Sequence, residues 1–201
     1  FDHSKRFEPE KRIDQLQQLA AQGDLQSMYR LATLMYKGEN IDLNKQEALR
    51  LFKMAAEKGE VNSMYQYANM LFTGDGVEKN EKEAFRLFKL AAEKGQVDAM
   101  NSYANMLDCG IAVDTNKEEA CRYFKMAADK GHLSAMNSYA FMLFNGLGIE
   151  QNQQEACRYF KMASDNGDLE GMFNYANIPD SGQGTEMNKK EAAQVKTKGI
   201  R

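Results

Sequence analysis

Between Val61 and Thr73 the apolar positions fall at Met64, Tyr67, Ala68 and Leu71. Steps of three, one and three place them on one face of an α-helix. Gly74-Asp75-Gly76 stops that helix, because glycine accepts the positive φ of a helix terminus. Asn80 opens a second helix, running from about Glu81 to Lys94, with Ala84, Leu87, Phe88, Ala91 and Ala92 on its apolar face. Asn80 and Glu83 have the spacing of a capping box, in which each side chain satisfies a backbone N–H of the other. Gly95 closes the second helix. At about 13 residues each, these helices, A and B, are marginal alone in water. Each pair must therefore bury its apolar faces on a neighbour.

The neighbour is another copy. A shift of 36 residues brings Gly23, Gly59, Gly95, Gly131 and Gly167 into one column, and Ala48, Ala84, Ala120, Ala156 and Ala192 into another. The Asn-x-x-Glu box returns at Asn44, Asn116, Asn152 and Asn188. A period of this length marks a repeat array whose stability is largely a sum of neighbour contacts. The predicted fold is all-α, a solenoid of 36-residue helix–turn–helix repeats, in three parts. Residues 1–23 read as a tail (1–8) and a half-repeat helix (Pro9–Gln22) with Ile13, Leu16, Leu19 and Ala20 on its apolar face. Residues 24–167 hold four full repeats. Residues 168–201 are a degenerate fifth repeat or C-terminal cap, where Pro179 takes the Leu71 column and a last helix from about Lys189 carries Lys196 in the column of Phe52 and Phe88. The second loop glycine is replaced by Asn40 and Ala112, which predicts a different bend in those two loops.

The run Ala84-Phe85-Arg86-Leu87-Phe88-Lys89-Leu90-Ala91-Ala92-Glu93-Lys94-Gly95, with Gly74-Asp75-Gly76-Val77, resembles the Sel-1-like repeat family, a relative of the tetratricopeptide repeat. The small column Ser27, Ser63, Ala99, Ala135 and Gly171 agrees with that family. The resemblance implies a right-handed α/α superhelix, usually an adaptor, with helix A lining the concave surface. In that register the concave columns carry Tyr29, Asn62, Tyr65, Asn69, Phe72, Asp98, Asn101, Asn105, Asp108, Asn137, Phe141, Phe144 and Asn177. An asparagine amide offers a donor and an acceptor, matching a peptide unit, and the rings offer apolar anchors. The expected partner is a protein or extended peptide, neutral to basic. Two rival readings remain: a structural segment of a larger assembly, docking by its convex face or ends, and an enzyme.

Composition narrows the rivals. A net charge of −3 supplies no basic field for nucleic acid. No apolar run approaches the roughly 20 residues of a membrane span, and no signal peptide is visible. The three cysteines have no CxxC spacing and no metal-ligand spacing with His3 or His132, so they read as reduced thiols, without metal or cofactor. That usage favours the cytoplasm, while compartment and oligomeric state stay open. Gly74-Asp75-Gly76 and Gly146-Leu147-Gly148 lie between helices and lack the lysine of a phosphate loop, so they are punctuation. The columns Arg50, Arg86, Arg122, Arg158 and Lys53, Lys89, Lys125, Lys161 are flanked by acidic columns at helical spacing, giving a nearly neutral outer face. Met28, Met64, Met100, Met136 and Met172 read as packing between repeats. No acid, base and nucleophile converge, so the chain reads as non-enzymatic.

Overall fold

The computed structural model of the chain describes residues 4–178, with side chains from residue 12 onward. The helices among them are α1 (Ser4–Ala21), α2 (Leu25–Lys37), α3 (Lys45–Glu57), α4 (Val61–Thr73), α5 (Glu81–Glu93), α6 (Val97–Cys109), α7 (Lys117–Asp129), α8 (Leu133–Asn145), α9 (Gln153–Asp165) and α10 (Leu169–Asn177). The even-numbered helices are helix A of successive repeats. α3, α5, α7 and α9 are helix B. The chain divides into two compact units, one ending at Ala99 and one starting at Met100, so the boundary falls within α6.

Caps define these helices. The N–H groups of Glu47, Glu83, Glu119 and Glu155 donate to Oδ1 of Asn44, Asn80, Asn116 and Asn152 at 3.0–3.1 Å. The expected box is only half formed. The N–H of each asparagine instead donates to a helix A carbonyl, that of Met35, Leu71, Leu107 or Leu143, at 2.8–3.0 Å. The glutamates turn to arginines three residues on, at 2.6 Å for Arg50, 2.7 Å for Arg86 and 2.5 Å for Arg158. The asparagine N–H already has a partner, so each carboxylate is left to other donors, with a bidentate guanidinium the strongest of them.

Helix A is capped by the residue after each glycine. Asp24, Glu60, Gln96, His132 and Asp168 accept from the N–H three residues on, at 2.7, 2.5, 2.5, 3.1 and 2.7 Å. The loops to helix B keep one conformation. Asn40 (φ 60) and Ala112 (φ 64) adopt the left-handed backbone of Gly76 (φ 76) and Gly148 (φ 66). The different bend expected of them is absent. Asparagine tolerates this region, and Ala112 carries a cost of about 1–2 kcal/mol.

In the first unit, Phe52 and Phe88 are 1% and 2% exposed, and Ala48, Ala84, Ala55 and Ala91 are fully buried, letting helix B approach its neighbours closely. Burying a phenylalanine stabilises by about 1.5–3 kcal/mol. Met28, Leu31 and Ala32 of α2 join Ala20 of α1 and Leu51 of α3 in one cluster. α1 begins at Ser4, so residues 4–8 are helical rather than a tail. Pro9 lies inside the helix and forgoes one backbone bond. Of its predicted apolar face, Ala20 is buried and Leu19 is 37% exposed. The loop of α4 is tied back to the preceding repeat. Asp75 accepts from Lys45 Nζ at 2.8 Å and from the Tyr36 hydroxyl at 2.6 Å, and these bonds hold its carboxyl below the usual range.

In the second unit, α7 and α9 carry the same run, Glu-Ala-Cys-Arg-Tyr-Phe-Lys-Met-Ala, starting at Glu119 and Glu155. Each places a tyrosine edge-on to a helix A tyrosine: Tyr103–Tyr123 at 4.8 Å and Tyr139–Tyr159 at 4.9 Å. Gly148 sits on the start of α7, where a Cβ would overlap the Lys117 backbone and stand 2.6 Å from Glu118 N. Met100, Met106, Met136 and Met142 are buried core, as the helical spacing predicts. α10 is four residues shorter than the other A helices and ends before Ile178, whose extended backbone (φ −62, ψ 126) is the one preferred before proline. Pro179 and the predicted helix from Lys189 lie outside the described residues.

Candidate interaction surface

The outward face of helix A follows from its inward one. With Met64, Ala68 and Leu71 buried, residues about half a turn away are left towards solvent. In the first unit, Tyr29, Tyr65 and Phe72 are half-buried. Tyr29 packs on Phe52 at 6.1 Å, and Tyr65 and Phe72 pack on Phe88 at 5.9 and 6.3 Å. Each ring thus shows one side and braces helix B with the other. Asn62 is exposed beside the Glu60 carboxylate (3.3 Å), and Asn69 is half-buried one turn before Phe72. Asp98 is exposed at the start of α6, where it accepts from Gln96 at 3.1 Å.

In the second unit the expected residues separate. Asn105 and Asn177 are exposed, and Phe141, at the same repeat position on α8, is 55% exposed. Phe144 is half-buried one turn beyond Phe141. Asn177 donates to the Phe173 carbonyl at 2.7 Å, which orients its amide along the helix. Asp108 is half-buried and paired with Lys117 at 2.7 Å, so its charge is largely spent within the repeat. Asn101 is half-buried, with Oδ1 enclosed and lacking a hydrogen-bond partner. Asn137 is 3% exposed, and its amide donates to the Asp168 cap of α10. It therefore ties α8 to α10 and lies inside, unlike the surface group its column suggests. The exposed Leu169 (76%) and Phe173 (67%) add apolar surface on α10. Phe173 shares its column with Tyr29 and Tyr65, and the repeat register places it on the helix A face.

The profile of the Sel1 repeat family matches residues 25–60, 61–96, 97–132 and 133–168. The chain belongs to the Sel1 repeat family. Sel1 repeats are in general protein-interaction modules, and the fold is the all-α repeat solenoid that the period implies. A protective antigen of uropathogenic Escherichia coli with an SLR fold is 25% identical, with a TM-score of 0.85 over 92% of this chain and 41% of that one. This Sel1 chain thus spans about two fifths of the antigen's length. A Sel1 repeat protein from Oxalobacter formigenes is 23% identical, with a TM-score of 0.84 over 94% of this chain and 78% of that one. An immunity protein of Pseudomonas aeruginosa, 18% identical, shares the fold with a TM-score of 0.55 over 92% of this chain and 72% of that one. No curated protein matches.

Two thiols of this Sel1 protein, Cys121 and Cys157, sit on helix B against the neighbouring helices. Burial pushes Cys121 up to about 11 and raises Cys157, so both are protonated at neutral pH. Cys109 is exposed at the end of α6. Among the described residues no group of three or more His, Cys, Asp or Glu side chains is arranged to hold a metal ion, and no helix is long and apolar enough to cross a membrane.

Proposed function

We propose that this Sel1 repeat chain is a non-enzymatic adaptor that binds a protein partner, as an extended peptide segment, through the concave, helix A side of its repeats. The observation that carries the reading is Phe141, a large ring 55% exposed on the outward face of α8. Asn105 and Asn177 hold its position on α6 and α10. Rings supply anchoring area and amides supply backbone hydrogen bonds, a division of labour suited to a peptide. In the first unit the half-exposed Tyr29, Tyr65 and Phe72 with Asn62 and Asn69 repeat it. The preferred partner is neutral to basic, because Asp98 is exposed on this side while Asp108 is spent on Lys117. Nucleic acid is disfavoured: Arg50, Arg86 and Arg158 are engaged by glutamates and present little free charge to phosphates.

Peptides selected from a displayed random library on the intact chain test this. Asn105→Ala with Phe141→Ala should weaken the selected peptides by about tenfold or more, the scale of an interface hot spot. Arg86→Ala with Arg122→Ala should leave them unchanged. Circular dichroism should show equal helicity in all variants. Loss on the arginine pair alone would replace this reading with docking by the convex, helix B side.

A further inference from the structure

A cleft of about 550 Å³ opens in the first unit over α2, between the end of α1 and α3. Leu31 and Leu51 form part of its lining, Met35 and Met54 add apolar wall, and Gln17 and Glu47 bring polar groups. That volume lies within the usual range of ligand sites. The repeat shows what the same place holds elsewhere. The column of Leu31 continues as Tyr67, Tyr103, Tyr139 and Tyr175, and that of Leu51 as Leu87, Tyr123 and Tyr159. In the second unit those rings stack edge to face at 4.8 and 4.9 Å. Tyr103 donates its hydroxyl to Glu119 at 3.0 Å, and Lys125 stands 6.0 Å from the centre of the Tyr139 ring. Glu47 is the counterpart of Glu119 and Gln17 that of Lys125. The first repeat has thus kept the acceptor and lost both rings.

Where Tyr103 reaches Glu119, Arg122 stands off at 3.6 Å and its guanidinium lies 4.9 Å from the Tyr123 ring centre. Glu47 pairs with Arg50 at 2.6 Å, as Glu155 pairs with Arg158 at 2.5 Å beside Tyr159, and a carboxylate so paired keeps lone pairs for a second donor. We infer that the cleft is a binding site for a tyrosine side chain presented by a partner protein. Its ring lies over Leu31 and Leu51 and its hydroxyl donates to Glu47, as that of Tyr103 does to Glu119. The site shares no residue with the helix A surface and does not depend on it.

Methionine-methyl NMR of the intact chain reads this directly, because Met28, Met35 and Met54 line the cleft. Three probes are added in turn: p-cresol, the tyrosine side chain as a free molecule; toluene, which lacks the hydroxyl; and the peptide Gly-Gly-Tyr-Gly-Gly. Saturable shifts of these methyls are expected with p-cresol and with the peptide. Toluene should bind about tenfold more weakly, the worth of a hydrogen bond to a charged acceptor. Glu47→Gln should narrow that gap. Leu31→Tyr should abolish p-cresol binding and raise the melting temperature, since the ring then comes from the chain itself. Absent shifts in the wild-type chain, or shifts that survive Leu31→Tyr, overturn the site. Equal binding of toluene overturns the role of Glu47. Binding of p-cresol with exclusion of the peptide overturns the protein-borne occupant in favour of a small phenol.

Discussion

One residue after each inter-repeat glycine has a single task filled by four kinds of side chain. Asp24, Glu60, Gln96, His132 and Asp168 all accept the N–H three residues on. This role was not legible in the sequence, because the column shows no common chemistry; only distance to the next helix unites it. His132 makes the longest of these bonds, 3.1 Å through Nδ1. His132→Ala should cost about 1 kcal/mol, the typical worth of an N-cap, and His132→Asp should recover it. Urea unfolding midpoints of the two variants measure this, and no loss with alanine would mean that the imidazole cap is dispensable. The helix B caps were legible through Asn-x-x-Glu, but only by half. The second half failed because Arg50, Arg86 and Arg158, three residues further on, compete for the same carboxylates. The burial of Asn137 was not legible either, because its column is shared with the half-buried Asn101. Its burial depends on Asp168, a residue one repeat away.

At the scale of elements, the spacing of small and large apolar residues gave every helix from α2 to α9 nearly to the residue. Thirteen residues between a cap and a glycine leave little freedom. The loops were harder to read. Loss of glycine at Asn40 and Ala112 suggested a new bend, whereas the backbone stays left-handed and the residue takes the strain. Docking, rather than φ alone, is what distinguishes Gly148. Its missing side chain lets the loop rest on the backbone of Lys117 and Glu118, while Gly59 has nothing within 4 Å of where a Cβ would stand. Gly59→Ala should therefore cost only the backbone term, about 1–2 kcal/mol. Gly148→Ala adds overpacking and should cost roughly 2–5 kcal/mol. Thermal melts of both proteins test the difference, and equal losses would show that the loop can lift from α7 freely. The cleft beside Leu31 has only a faint signal in the sequence, one leucine heading a column of tyrosines. A lost ring reads as ordinary variation until the space it leaves is seen.

For the molecule as a whole, the period fixed fold and family, while the partner-facing residues were legible only as columns, since exposure depends on what each helix packs against. Repetition has a further consequence in time rather than in space. The shared run in α7 and α9 means that, in an unfolded second unit, α8 meets two nearly identical candidates for the same contact. A chain paired one repeat out of register, or with the copy in another molecule, loses little locally and must unfold to correct itself. Refolding by dilution from urea should show a slow phase whose amplitude grows with protein concentration, a dependence that separates it from proline isomerisation. Size-exclusion chromatography of the concentrated refolding mixture should show a transient dimer. Tyr123→Leu, which makes α7 resemble α5 at that position, should reduce both. Single-exponential refolding at every concentration would mean that the residues flanking the shared run already set the register, and that near-identical neighbours carry no kinetic penalty here.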